Sequence, residues 1–251
     1  SSAVHQIVEL VNAGCGADHR SVETAALPPA RIWRDQIWGI TREPVVMVYN
    51  RDLVPPDEVP HTRFDLLDLL RPENSRYRGR VATYDIESSG LGFLLAFVDS
   101  MEAATFGALL ESFGRSGTVA TCCSAEIIDG VIAGTYLMAY NVLGSYAALR
   151  AAGDPRLGVI APADYTLTLS RAAMIPNGAA NAAAAAMLVD YLLSPPGRDQ
   201  LERQFLILRL QDAEGSLLER PADTETMERV IALSPALLVA RDRQKIELFT
   251  E

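Results

Sequence analysis

The chain has 251 residues, 49% of them hydrophobic and 22% charged, with a net charge of −10. That length holds one large domain or two lobes of about 100 to 150 residues each, and the composition is that of an ordinary globular protein. No run of about 18 apolar residues is present to span a membrane, and so acidic a chain lacks the basic face that nucleic acid needs.

In chain order, Val4, Ile7, Val8 and Val11 share one face of a short helix that ends at Asn12-Ala13-Gly14. The run from Asp18 to Pro29 is irregular, and Pro44 to Tyr49 reads as a buried strand that stops at Asn50. Pro55, Pro56 and Pro60 mark a connector, after which Phe64 to Leu70 is a short helix and Val81 to Tyr84 a strand. This strand leads through Asp85 and Ser88-Ser89-Gly90-Leu91-Gly92 into a helix from Ser89 to Ser100, with Leu91, Leu94, Leu95 and Val98 at helical spacing. Ser88 or Ser89 is its expected N-cap. The glycines let a ligand approach the backbone, and unsatisfied amides at such a turn favour carboxylate or phosphate. Any well-capped helix after a strand has the same form, so the turn alone does not assign a site.

Beyond it the pattern predicts a helix from Ala104 to Phe113 closed by Gly114, a helix capped by Ser124, a strand from Thr135 to Asn141 and a helix capped by Ser145. Strands follow at Gly158 to Ala161 and Thr166 to Met174, then an alanine-rich helix from Ala179 to Leu193 with Leu188, Tyr191 and Leu192 as its apolar face. Ser194-Pro195-Pro196-Gly197 stops that helix, and the remainder is helical in character, with a charged segment from Arg241 to Glu251.

Strands alternating with helices imply an α/β fold with a largely parallel sheet, whose ligands bind beyond the carboxyl ends of the strands. That rule groups Tyr49-Asn50, the turn at Ser88 to Gly92, and the segment from Asn141 to Ser145. The candidate ligand residues are Ser88, Ser89, the amides of Gly90 and Leu91, Tyr49, Asn50, Tyr140, Asn141 and Ser145, with charge supplied by Arg171. Several have an equally good structural role: Ser145 as a helix cap, Asn50 in closing a turn, Tyr140 in core packing. Other arginines, such as Arg20, Arg31 and Arg51, are dispersed and read as solvated surface.

Enzymatic chemistry has little support. Asp85 and Glu87 stand near the turn without a partnered nucleophile, and His5, His19 and His61 are far apart in sequence. No zinc-ligand spacing occurs, so no metal and no cofactor is expected. Cys15 is alone, and the adjacent Cys122-Cys123 is not expected to form an ordinary unstrained disulfide.

Four blocks in order carry a resemblance: Glu43 to Asn50, Tyr84-Asp85 with Ser88-Ser89-Gly90, Tyr140 to Ala147, and Asp190 to Gly197. Together they resemble the substrate-binding proteins of ABC transporters, in the iron(III)-type branch of the two-lobed (type 2) periplasmic binding proteins, and within it the group that includes the phosphoglycerate transport regulatory protein. The resemblance implies a periplasmic, monomeric protein of two α/β lobes joined by hinge strands, with a small anionic ligand in the cleft and closure as the mechanism. Lobe one is expected at 1–54 and 162–251, lacking its amino-terminal part, and lobe two at 55–161. The implied partner is an ABC permease, or alternatively a membrane sensor such as a histidine kinase. Ferric iron is the other alternative ligand, but the adjacent tyrosine pair of the ferric binders is missing: Tyr140-Asn141 stands in its place, with Tyr136 on the same strand face.

Overall fold

A computed structural model describes residues 1–102, 105–210, 217–219, 226–242 and 247. The first part of the chain forms α1 (Val4–Asn12), α2 (Val22–Ala25), β1 (Ile32–Trp33), β2 (Ile37–Gly39), β3 (Glu43–Asn50), α3 (Arg63–Leu70) and β4 (Val81–Tyr84). The middle forms α4 (Gly90–Glu102), α5 (Phe106–Ser116), β5 (Val119–Thr121), α6 (Ser124–Ile132), β6 (Met138–Leu143), α7 (Gly144–Ala151) and β7 (Leu157–Ile160). It closes with β8 (Thr166–Leu169), β9 (Ala172–Ala173), α8 (Ala182–Leu193), α9 (Pro195–Arg203) and β10 (Glu228–Val230), followed by a 3-10 helix at Pro235–Arg241.

Local chemistry sets many of these boundaries. Ser21 with Thr24, and Thr62 with Asp65, form reciprocal capping boxes that start α2 and α3. Gly117, at φ 65°, ends α5 in the left-handed conformation that glycine adopts without a Cβ penalty. Ser194 closes α8 and also accepts from the Gly197 amide, so the Ser-Pro-Pro-Gly stop is at the same time the start of α9. The helices expected to be capped by Ser124 and Ser145 begin one or two residues earlier in capping terms, with Cys123 and Leu143 as N-caps. Ala104, the expected start of α5, and most of the charged tail lie outside the described residues.

The chain divides into two compact units, one of 1–43, 169–207 and 230–251, the other of 44–168 and 208–229. The boundaries differ from those read at 54/55 and 161/162. β3 pairs with β6 and β7 from Val45 to Asn50, so the strand belongs with the sheet it hydrogen-bonds, and Glu219 bridges to Ile160 of that sheet.

In the first unit β1, β2 and β9 make a small antiparallel sheet, with the hairpin loop between β1 and β2 turned by Arg34 and Asp35 at positive φ. Trp38, Ile175, Val189 and Leu193 form its core, so α8 turns Val189 and Leu193 inward and leaves Leu188 and Tyr191 exposed, against the expected face. The alanines on both sides of α8 explain the misreading, because their weak amphipathic signal does not orient the helix. α1 buries Val4, His5, Val8 and Val11 and packs on the Pro235–Arg241 helix, where Arg241 Nε lies 2.7 Å from a Glu9 carboxylate oxygen. The Ser1 ammonium donates to the Ala172 carbonyl at 2.8 Å.

The second unit is built on a seven-stranded sheet in the order β10-β8-β3-β6-β4-β5, with β7 also on β3. The sheet is mixed rather than largely parallel: β4 runs parallel to β5 and β6, whereas β3 runs antiparallel to β6 and β7. Apolar content reports how deeply a strand is buried and not which way it runs. A core of Met47, Leu66, Leu70, Tyr77, Leu109 and Met138, among others, fills the space between this sheet and α3 and α5.

Candidate functional site

The strand-to-helix turn of the second unit is held by its own side chains. The Asp85 carboxylate accepts from the amides of Glu87 (2.9 Å) and Ser88 (3.4 Å), and the Ser89 hydroxyl accepts from the Gly92 amide at 3.0 Å. Ser89 therefore caps α4. The bonds from the Glu87 amide, then from the Ser88 side chain, hold the Asp85 carboxyl below its usual range. Hydrogen bonds of the turn engage the amides of Glu87, Ser88, Ser89, Gly92 and Phe93, and among the described residues none uses those of Gly90 and Leu91. Two donors at the positive end of a 13-residue helix are thus left facing outward in a half-exposed turn. Gly92 allows α4 to sit directly on β4, since an added Cβ would overlap that of Tyr84.

A second element ends beside this turn. The pairing of β6 with β3 shifts register, Val46 facing Val142 but Val48 facing Ala139, so β6 carries one extra residue at Tyr140-Asn141. Asn141 takes φ 61°, a left-handed conformation that asparagine tolerates better than most residues. Such bulges re-aim side chains. Here both residues reach one carboxylate: the Tyr140 hydroxyl donates to Asp99 Oδ2 at 2.8 Å and Asn141 Nδ2 donates to the same oxygen at 2.6 Å.

Asp99 is the centre of a buried network. It also accepts from the Tyr165 hydroxyl at 2.7 Å and faces Arg63 Nη2 at 3.4 Å, with Asp99 and Arg63 only 0% and 1% exposed. The Arg63 guanidinium donates to the Tyr140 hydroxyl oxygen at 2.7 Å and to the Tyr165 carbonyl at 2.8 Å, pairs with Asp164 at 3.2 Å, and stacks over the Tyr165 ring. Burial first, and then the Asp99 charge, push the Tyr140 and Tyr165 phenols well above their ordinary range, so both stay neutral hydrogen-bond donors. A pocket of about 60 Å³ opens against this network, lined by Asp99, Tyr140, Asn141, Gly92, Phe106 and Phe113 with others.

The sequence-predicted residues are therefore only partly assembled. Gly92 of the Ser88 to Gly92 turn shares a pocket with Tyr140 and Asn141. Ser145 is buried in the first turn of α7. Tyr49 and Asn50 are at the other end of the sheet: Tyr49 pairs with Met138 at the start of β6, five residues from Leu143 and so about 17 Å away along the strand. The antiparallel course of β3 is the cause. The Asn50 side chain donates to the Val131 carbonyl at 2.8 Å and accepts from the Asp52 amide, closing a turn, and the Tyr49 hydroxyl donates to Glu219 at 2.8 Å. Arg171 lies in the first unit, where its guanidinium grips the buried Glu43 carboxylate through two bonds of 2.7 and 2.8 Å, so its charge is already matched. Tyr136 precedes β6 rather than sharing a strand face with Tyr140, and its ring packs on Gly130. Arg63 and Asp99 escaped the sequence reading.

Known proteins agree on the architecture. The family model of the bacterial extracellular solute-binding proteins matches residues 8–218. The substrate-binding protein of an ABC transporter from Agrobacterium tumefaciens is similar with a TM-score of 0.87 and 29% identity over 100% of this chain and 76% of that one. Iron-bound HitA from Pseudomonas aeruginosa gives a TM-score of 0.67 and 17% identity over 95% of this chain and 79% of that one. The periplasmic binding protein AfuA from Actinobacillus pleuropneumoniae, with fructose-6-phosphate bound, gives 0.72 and 14% over 99% and 80%. The last two likenesses concern the fold alone. No curated protein matches the chain.

Proposed function

Because this chain belongs to the bacterial extracellular solute-binding proteins, the solute binders of ABC-type uptake systems, we propose that it captures a small anionic solute, an organic or phosphorylated acid, in the periplasm for delivery to an ABC permease. The observation that carries this reading is the pair of unengaged amides at Gly90 and Leu91, at the amino end of α4 and next to the Ser89 hydroxyl. They supply a local positive potential on a chain of net charge −10. Asn141, held by Asp99 through one of its two N–H groups, keeps the other for a ligand. The protein acts by binding, without covalent chemistry.

Ferric iron fits this site less well. A hard cation needs anionic oxygen ligands, and the Tyr140 phenol is buried, bonded to Asp99 and Arg63, and kept protonated.

A thermal-shift screen against sugar phosphates, phosphorylated three-carbon acids, dicarboxylates, thiamin and ferric citrate tests the reading. An anion at 100 times its dissociation constant is expected to stabilise the protein by about 2.7 kcal/mol. Gly90→Pro is the decisive variant, because proline is well tolerated at the first helical position and removes only the N–H. Loss of a hydrogen bond to a charged group, worth about 1.5–3 kcal/mol, predicts affinity weakened by roughly 10- to 100-fold with little change in melting temperature of the free protein. A hit that is cationic, or an anion that binds Gly90→Pro unchanged, would defeat the proposal. Capture by closure, which the resemblance implies, predicts a smaller radius of gyration in solution scattering when that anion is added.

A further inference from the structure

The structure joins Cys122 to Cys123 by a disulfide, against the sequence expectation, with Cα atoms 3.8 Å apart as in any trans-linked pair of neighbours. The bond closes a small ring around one peptide, in the bend between β5 and α6, where both side chains are exposed. Thr121, the residue before, accepts from the Asp85 amide at 2.9 Å, which puts the pair at the carboxyl end of the strand beside the solute turn. Cys123 is the N-cap of the nine-residue α6, and Glu126 stands in its first turn with a carboxylate oxygen 3.4 Å from Cys122 Sγ.

We propose that Cys122 and Cys123 are a reversible redox pair whose reduced form, with Glu126, chelates a soft divalent cation such as Zn²⁺ or Cd²⁺. The two sulfurs and a Glu126 oxygen lie within 4.8 Å of one another, three of the four positions of a tetrahedral thiolate site, and water completes the fourth. Sulfurs bonded to one tetrahedral ion at about 2.3 Å stand about 3.8 Å apart. Rotation of two exposed side chains reaches that spacing once the S–S bond is open. The helix amino terminus favours the thiolates that the ion requires.

The chemistry balances with a dithiol as reductant. Its two thiols are oxidised to a disulfide while the S–S bond of the protein breaks, and their two protons end on Cys122 and Cys123. Metal binding then displaces both protons to solvent. The oxidised pair offers no thiolate and holds no ion, so the two states exclude one another.

The test uses the full chain with Cys15→Ser in every arm, because Cys15 is a free exposed thiol. Alkylation should find no reactive thiol before reduction and two after it, Cys122 and Cys123. After reductant is removed without air, titration with Cd²⁺ should show one ion per chain with ultraviolet thiolate charge-transfer absorption, and none in the oxidised protein. Cys123→Ser should abolish that signal, and Glu126→Gln should weaken binding by at least the roughly tenfold that losing even an outer-shell partner costs. Both positions are exposed, so folding is expected to survive, which circular dichroism checks. Two free thiols in protein purified under air, equal Cd²⁺ binding by oxidised and reduced protein, or undiminished binding in Cys123→Ser would each overturn the proposal.

Discussion

Replacing Asp99 by alanine is expected to cost the second unit about 3–5 kcal/mol, the range for removing one partner of a buried ion pair. The substitution strips Arg63, 1% exposed, of one of its two carboxylates and leaves the Tyr140 and Tyr165 hydroxyls and Asn141 Nδ2 without their acceptor. Each buried donor left unmade costs on the order of 1–3 kcal/mol, although the terms do not add because the groups share one oxygen pair. Urea unfolding of Asp99→Ala, Arg63→Met and the double variant measures the coupling. The double variant is expected to lose less than the sum of the single losses, since it removes both charges together. Additive losses would mean that Asp99 stabilises the unit through its hydrogen bonds alone. The bulge at Asn141 should relax in Asp99→Ala, so solute affinity is expected to fall with stability.

Acidification is expected to unfold the first unit through His5, whose pKa burial first, and then the nearby Arg241 charge, bring down from 6.5 to about 4. The folded-state value is lowered, so as pH falls below 6.5 the unfolded chain takes up the proton and the folded chain does not. The contribution of the neutral histidine is present in full above pH 6.5 and is lost as pH falls toward 4. At about 1.4 kcal/mol per pKa unit the window is worth about 3 kcal/mol. Urea titrations of the wild type at pH 7 and pH 4.5 should differ by most of that amount, and His5→Gln should show a much smaller difference. An equal pH dependence in the two proteins would assign the acid limb to other groups.

Why some of this was legible in the sequence and some was not comes down to what each signal measures. Val81–Tyr84 and the serine-glycine start of α4 were readable because a short apolar run, a capping serine and helical periodicity are local properties. The direction of β3 is not local, and assuming it parallel moved Tyr49 and Asn50 to the wrong end of the sheet. Arg171 looked available for an anion because its partner, Glu43, is 128 residues away. The buried network did leave a trace. Asp99 follows Leu95 by four residues, and Arg63 precedes Leu66 and Leu67 by three and four, so both charges sit on helix faces that periodicity turns inward. A charge on such a face is almost never buried without a partner, and the two are each other's.

The division of the first unit into separate stretches of sequence also sets an order of assembly. Residues 44–168 supply nearly all of the second unit in one continuous run, and so can collapse while the rest of the chain is still being synthesised. The first unit has no such option. Its amino-terminal strap is fastened by Ser1 to Ala172 and by Glu9 to Arg241, ties that span 171 and 232 residues. Closing loops of that length is slow and entropically costly, so α1 is among the last elements to find its place.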